Sequence, residues 1–199
     1  MRRVSLCALG VVVVVGLGGC GPSRRAVADP RVGQVFFLCC NLRYDPQKPE
    51  ITDTLAAQGT LLPFATRVEV RKVTKDTVLF APAGHSPITL VYEHGGKALR
   101  FDQYLNRLFV TEDPRLKLKK VPARQVKQVE KGTIVPGMSR DQVLLAVGYP
   151  PADRTPSLEA ATWTYGDGTD ADAFVVSFDG NRVSSVQRGA AGRARRRAN

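Results

Sequence analysis

Gly137-Met138-Ser139-Arg140-Asp141-Gln142-Val143-Leu144-Leu145-Ala146-Val147-Gly148-Tyr149-Pro150 spells a helix whose two ends are set by side-chain chemistry. Ser139 is a strong N-cap, and Gln142 stands three residues on, the spacing of a capping box. Met138 before the cap and Val143 at the fourth helical position form a hydrophobic staple. Asp141 lies in the first turn, where the helix dipole favours a negative charge. Val143, Leu144 and Val147 are expected to supply the buried stripe. Gly148 ends the helix in a left-handed position, and Pro150 with Pro151 prevents its return.

The same reading extends in both directions. Upstream, Ala123 to Lys131 reads as a short helix with Val126 and Val129 inward and Gly132 as its stop. Downstream, Thr162-Trp163-Thr164-Tyr165 alternates and puts Trp163 and Tyr165 on one face. Phe174 to Phe178 is a second strand, Asp179-Gly180-Asn181 a tight hairpin turn, and Arg182 to Gln187 a third strand. Residues 121–188 therefore form an α-α-β-β-β unit. Gly137, Met138, Ser139, Gln142, Gly148 and Pro150 have structural work in building its capped helix. Trp163 and Tyr165 serve either the core or a partner-contact surface, because aromatic side chains supply both.

Gly137-Met138-Ser139, Gln142-Val143, Gly148-x-Pro150, Trp163-x-Tyr165 and the Phe178-to-Val183 hairpin together resemble the SmpA/OmlA (BamE-like) family of small outer-membrane lipoproteins. The resemblance covers about residues 122–188, roughly a third of the chain. It implies an α-α-β-β-β fold and an accessory, non-enzymatic role beside the machinery that inserts β-barrel proteins. The segment of about ninety residues ahead of this unit departs from the family pattern.

That preceding segment, residues 34–120, reads as β-rich with one helix. Gln34 to Tyr44 is expected to be a strand around Val35-Phe36-Phe37-Leu38, broken by Asp45-Pro46. Arg67-Val68-Glu69-Val70-Arg71 alternates as a half-buried strand, Asp76 to Phe80 suits its hairpin partner, and Ile88 to Tyr92 is another strand. Gly59-Thr60-Leu61-Leu62-Pro63 before a strand resembles the turn of small SH3-like envelope domains. Phe101, Tyr104, Leu105, Leu108 and Phe109 have helical spacing, in a segment ended by Asp113-Pro114. The expected class is α+β: a β-rich, SH3-like first domain and then a BamE-like module.

Met1-Arg2-Arg3, an apolar run including Val11 to Val15, and Leu17-Gly18-Gly19-Cys20 have the layout of a signal peptide over residues 1–19. Leu17-Gly18-Gly19-Cys20 resembles the bacterial lipobox, which implies that Cys20 becomes a lipidated N-terminus. Gly21, in place of Asp, leans the destination toward the outer membrane, facing the periplasm. Residues 20–33 then read as a tether. The formal charge of +11 falls by two when Arg2 and Arg3 leave. Five of the remaining cations are Arg188, Arg193, Arg195, Arg196 and Arg197, so the basicity lies largely in a tail whose last residues, 189–199, read as disordered.

Little in the sequence points to catalysis. Neither His-x-x-x-His nor Cys-x-x-Cys occurs, nor a nucleophile elbow or phosphate-binding loop, so neither cofactor nor metal is expected. Cys39 and Cys40 are adjacent. On a strand they would point to opposite faces, and neighbours are rarely bridged, so the reading is one packed and one exposed thiol. A dyad of Cys40 with His85 or His94 has no local support. The expected activity is that of a membrane-tethered protein-binding or scaffold module whose partners are membrane lipid, through acylated Cys20, and envelope or outer-membrane proteins. The alternative is a binder of anionic envelope polymer, cell wall or lipopolysaccharide, through the basic tail and SH3-like domain; nucleic acid is not an expected partner of an exported tail. Cys20→Ser should abolish acylation and move the chain from the membrane to the soluble fraction. Mass spectrometry of the N-terminus and fractionation check this, and an unaltered membrane share would remove the lipobox reading.

Overall fold

A computed structural model describes residues 28–53, 59–93, 98–166 and 173–188. The signal peptide, Cys20, most of the tether, His94 and residues 189–199 lie outside the described residues. The described residues fold as α+β around two hydrophobic cores.

The first core is built on a six-stranded sheet. Its strands are β1 (Val35–Leu38), β3 (Glu50–Thr52), β5 (Arg67–Val73), β6 (Thr77–Pro82), β7 (Ile88–Val91) and β8 (Phe109–Val110), in the order β3-β7-β6-β5-β1-β8. All neighbours run antiparallel except β3 and β7. Alternation drives the burial: Val68, Val70, Val78, Phe80, Ile88 and Leu90 face inward and are almost wholly buried. Helix α1 (Phe101–Leu108) adds Tyr104, Leu105 and Leu108 to this core. A separate two-stranded pair joins β2 (Leu42–Tyr44) and β4 (Thr60–Leu62).

Three expectations for this half are corrected. The strand foreseen over Gln34 to Tyr44 is two strands in different sheets, because the chain bends at Cys39-Cys40 and re-aims at Asn41. The helix foreseen through Phe109 stops at Leu108. Phe109 and Val110 instead pair with Leu38 and Phe37 as β8, where Phe109 meets Phe80 edge-on at 5.4 Å. Asp113-Pro114 does not close α1; it opens a 3-10 helix, Pro114–Leu118.

The second core is made by α2 (Ala123–Glu130), α3 (Arg140–Val147) and the antiparallel sheet of β9 (Thr162–Tyr165), β10 (Phe174–Asp179) and β11 (Arg182–Arg188), with β10 central. The capping box is present in both directions. The Ser139 hydroxyl accepts from the Gln142 amide at 3.3 Å, and the Gln142 side chain accepts from the Ser139 amide at 2.7 Å. Met138 and Val143 are both fully buried in one core, as a staple requires. Backbone bonds tie this start to the hairpin, since Gly137 donates to Val183 and Val183 to Met138, each at 2.8 Å.

Two details of α3 differ from expectation. Its buried residues are Gln142, Val143, Leu145 and Ala146, while Leu144 and Val147 are only partly buried. The helix is covered by the first half as well as by its own sheet, so a one-sided stripe does not describe it. Gly148 has φ 83° but ψ −174°, an extended conformation open to glycine rather than a left-handed helical one. Ser139→Ala should lower stability by about 1 kcal/mol through loss of one cap bond. Urea unfolding checks this: the midpoint should fall with the slope unchanged.

Candidate functional site

The two cores meet at the bend after β1. Leu38 accepts from the Ala65 amide and Cys39 donates to Leu108, both at 2.9 Å, which fixes the strand end. Asn41, 3% exposed, then reaches into the second half. Its backbone amide donates to the Leu145 carbonyl at 3.0 Å. Its side-chain amide donates to Val129 at 2.7 Å and Ala146 at 3.1 Å, and its side-chain oxygen accepts from the Phe64 amide at 2.8 Å. One buried amide thus bonds two carbonyls near the C-terminal ends of α2 and α3, that of Val129 also accepting from the Gly132 amide at 2.9 Å. The boundary read at residue 120 is crossed both ways: Phe64, Ala65 and Leu118 belong to the second core, and Tyr149 packs against the first.

Beside this joint lies a groove of about 450 Å³. Phe36, Phe109 and Val110 form one wall, and Leu144, Leu145 and Tyr149 the other. Leu116 lines it as well and is 50% exposed. The lining residues also include Glu112, Asp113, Asp141 and Lys117. The Arg115 guanidinium, 2.6 Å from Asp113, holds that carboxyl below its usual range. Lys117 stands 3.9 Å from Asp141, with both ends exposed to water, where such a pair contributes little. Burial pushes the Tyr149 phenol above its ordinary range against the opposing pull of Arg107, whose guanidinium lies 5.2 Å from the ring centre. Apolar walls with a charged, half-neutralised rim suit a peptide or another protein's surface better than a small charged substrate.

The residues singled out from sequence sit elsewhere. Trp163 is 0% and Tyr165 3% exposed, inside the second core, which removes both as contact candidates. The Trp163 indole donates to Leu158 at 3.1 Å and the Tyr165 hydroxyl to Gly148 at 3.0 Å, so even their polar ends are committed inward. Arg140 explains part of this. Its guanidinium lies 5.3 Å from the Trp163 ring and 4.2 Å from Phe178, and it donates to the Leu158, Ala160 and Gly180 carbonyls. Gly137, Met138, Ser139, Gln142, Gly148 and Pro150 flank or cap α3, the helix that forms the far wall of the groove.

The cysteine expectation is corrected too. Cys39 and Cys40 are joined by a disulfide, and both are buried, at 9% and 2% exposure. The strand ends at Leu38, so the alternation that would have separated the two side chains no longer applies. His85 pairs with the Tyr44 hydroxyl at 2.9 Å, and Cys40 holds no free thiol for a dyad. Among the described residues no cluster of three or more His, Cys, Asp and Glu is placed to hold a metal ion, and no helix is long and apolar enough to cross a membrane. Sequence reasoning missed Asn41 and Tyr149. A polar amide set between Cys40 and Leu42 in an apolar stretch was the available signal for Asn41.

Comparison of the chain with protein-family models, with curated proteins and with solved structures finds no match. Asn41→Ala should destabilise the protein by roughly 2–4 kcal/mol, because it removes the Asn41 partner of the Ala146 carbonyl and the Phe64 amide and one of the partners of the Val129 carbonyl. Thermal unfolding checks it: the variant should melt well below the wild type, and a shift no larger than that of an exposed substitution would contradict the role given to Asn41.

Proposed function

We propose that this chain is a membrane-tethered, non-enzymatic envelope lipoprotein that works as a protein-binding module. The observation that carries the reading is the apolar groove beside the joint, taken with where the tether arrives. Arg31, near the end of the tether, is anchored by Asp29 at 2.7 Å and donates to Asn106 at 2.8 Å; Asn106 itself lines the groove. Seven residues lie between Cys20 and Ala28, the first described residue, a span of at most about 30 Å when fully extended. A lipid on Cys20 would therefore keep the groove within that reach of the membrane surface, raising its effective concentration toward membrane partners.

The succession α2, α3, β9, β10, β11 matches the order that the SmpA/OmlA (BamE-like) resemblance implies, and the β-rich first half is compatible with the SH3-like reading. Both support a scaffold role accessory to outer-membrane protein assembly or envelope integrity, with envelope proteins as partners. The location on the periplasmic side of the outer membrane rests on Cys20 and Gly21.

A photocrosslinking residue at position 116 should capture an envelope protein in living cells, whereas one at position 75, in the exposed β5–β6 turn, should not. Leu144→Glu, which puts a charge on a groove wall, should reduce the adduct about tenfold or more at unchanged expression, the effect of losing roughly 1.4 kcal/mol of binding. Equal capture at both positions, or capture indifferent to Leu144→Glu, would overturn the groove as the binding surface.

A further inference from the structure

The Cys39–Cys40 bridge stands at the place where the two cores are joined, and its surroundings are asymmetric. Cys39 lines the open groove and also a small recess behind it, whereas Cys40 lines the recess alone. The recess is completed by Leu42, Tyr104, Arg107, Leu108 and Tyr149. Arg107 is the one charged residue among the described residues that line it. A guanidinium beside a sulfur favours the thiolate, and a stabilised thiolate is a better leaving group in disulfide exchange. One cysteine of the pair thus lines the groove, and both share the recess with a cation.

We propose that Cys39–Cys40 is a thiol–disulfide exchange site whose substrate is a dithiol reductant, and whose redox state sets how firmly the two cores are joined. The thiolate of the reductant attacks Sγ of Cys39 from the groove. A bond forms between those two sulfurs, the Cys39–Cys40 bond breaks, and its electron pair leaves as the Cys40 thiolate in the recess that Arg107 also lines. The second thiol of the reductant then attacks its own sulfur in the mixed disulfide and releases Cys39. The pair gains two electrons and two protons, and the reductant leaves as a disulfide.

The consequence for the fold follows from the neighbours of the pair. Cys39 donates to Leu108 in the first half, and Asn41, one residue beyond the bridge, donates to Leu145 in the second. While the bridge is closed, a ring over a single peptide bond restricts the chain between those two anchors. Once it opens, that segment regains freedom and the anchors fray more often. The inference needs no partner in the groove, so it stands or falls separately from the protein-binding reading.

The test uses the full chain isolated from the membrane without reductant. Trypsin releases Val32 to Arg43 as one peptide carrying both cysteines. In untreated protein, denatured in iodoacetamide, this peptide should carry no alkyl group and weigh two hydrogens less than the dithiol. After dithiothreitol treatment of the folded protein it should be alkylated twice. Reduction should also speed amide exchange at Asn41 and Cys39 by about tenfold, with amides of the β10–β11 hairpin unchanged. Cys39→Ser/Cys40→Ser should exchange at the reduced rate with or without dithiothreitol, which separates the bridge from any general effect of reductant. Arg107→Leu should slow reduction about fivefold and Arg107→Lys restore it. Free thiols in the untreated protein, a bridge that dithiothreitol opens only on unfolding, exchange at the joint indifferent to redox state, or an Arg107→Leu rate equal to wild type would each overturn the proposal.

Discussion

The structure depends on one buried amide. Asn41 is a polar side chain at 3% exposure, a placement that is unfavourable unless its hydrogen-bonding capacity is met. It is met by two carbonyls from the second half and one amide from the first. Apolar contact alone would tolerate some sliding between the cores, because dispersion is non-directional. Three directional bonds from one side chain, with the backbone bond to Leu145, admit a single docking geometry. The groove inherits that geometry, since one wall comes from β1 and β8 and the other from α3.

The second half was more legible in the sequence than the first, and the reason is locality. The capped helix, the Gly180-Asn181 turn and the three alternating strands are specified by residues within a few positions of one another. The first half is organised by pairings distant in sequence, such as β1 with both β5 and β8, and β3 parallel to β7. No short window encodes which strand lies beside which. The short strands Glu50–Thr52 and Phe109–Val110 exist only because a neighbour is present to bond them. Phe109 shows the competition directly: its spacing continues α1, but pairing to Leu38 and contact with Phe80 draw it into the sheet.

The candidate site was less legible than the fold. Trp163 and Tyr165 drew attention because aromatic pairs serve cores and interfaces alike, and Arg140 settles the choice by lying over the Trp163 ring and bonding the carbonyls around it. The apolar residues that line the groove are ordinary in sequence: two phenylalanines, three leucines, a valine and a tyrosine. Their significance arises from convergence across the joint. The cysteine pair was misread for a related reason. The alternation rule holds only within a strand, and the strand ends one residue before the pair begins.

In the proposed function, a lipid on Cys20 and the groove would constrain each other. A tether of a few residues restricts where the folded part can sit, and Arg31 narrows this further by fixing the chain to Asn106 on the groove lining. An anchor attached to a distant surface would leave the orientation of the groove to chance. An anchor arriving beside it, as proposed, would bias the groove toward partners at the membrane. The same economy applies to α3. Its cap is tied to the hairpin, its C-terminal carbonyl at Ala146 is held by Asn41, and Leu144 is left half-exposed toward the groove. Because both ends of that helix are fixed by hydrogen bonds, the wall it presents is rigid where a binding surface gains most from being formed in advance.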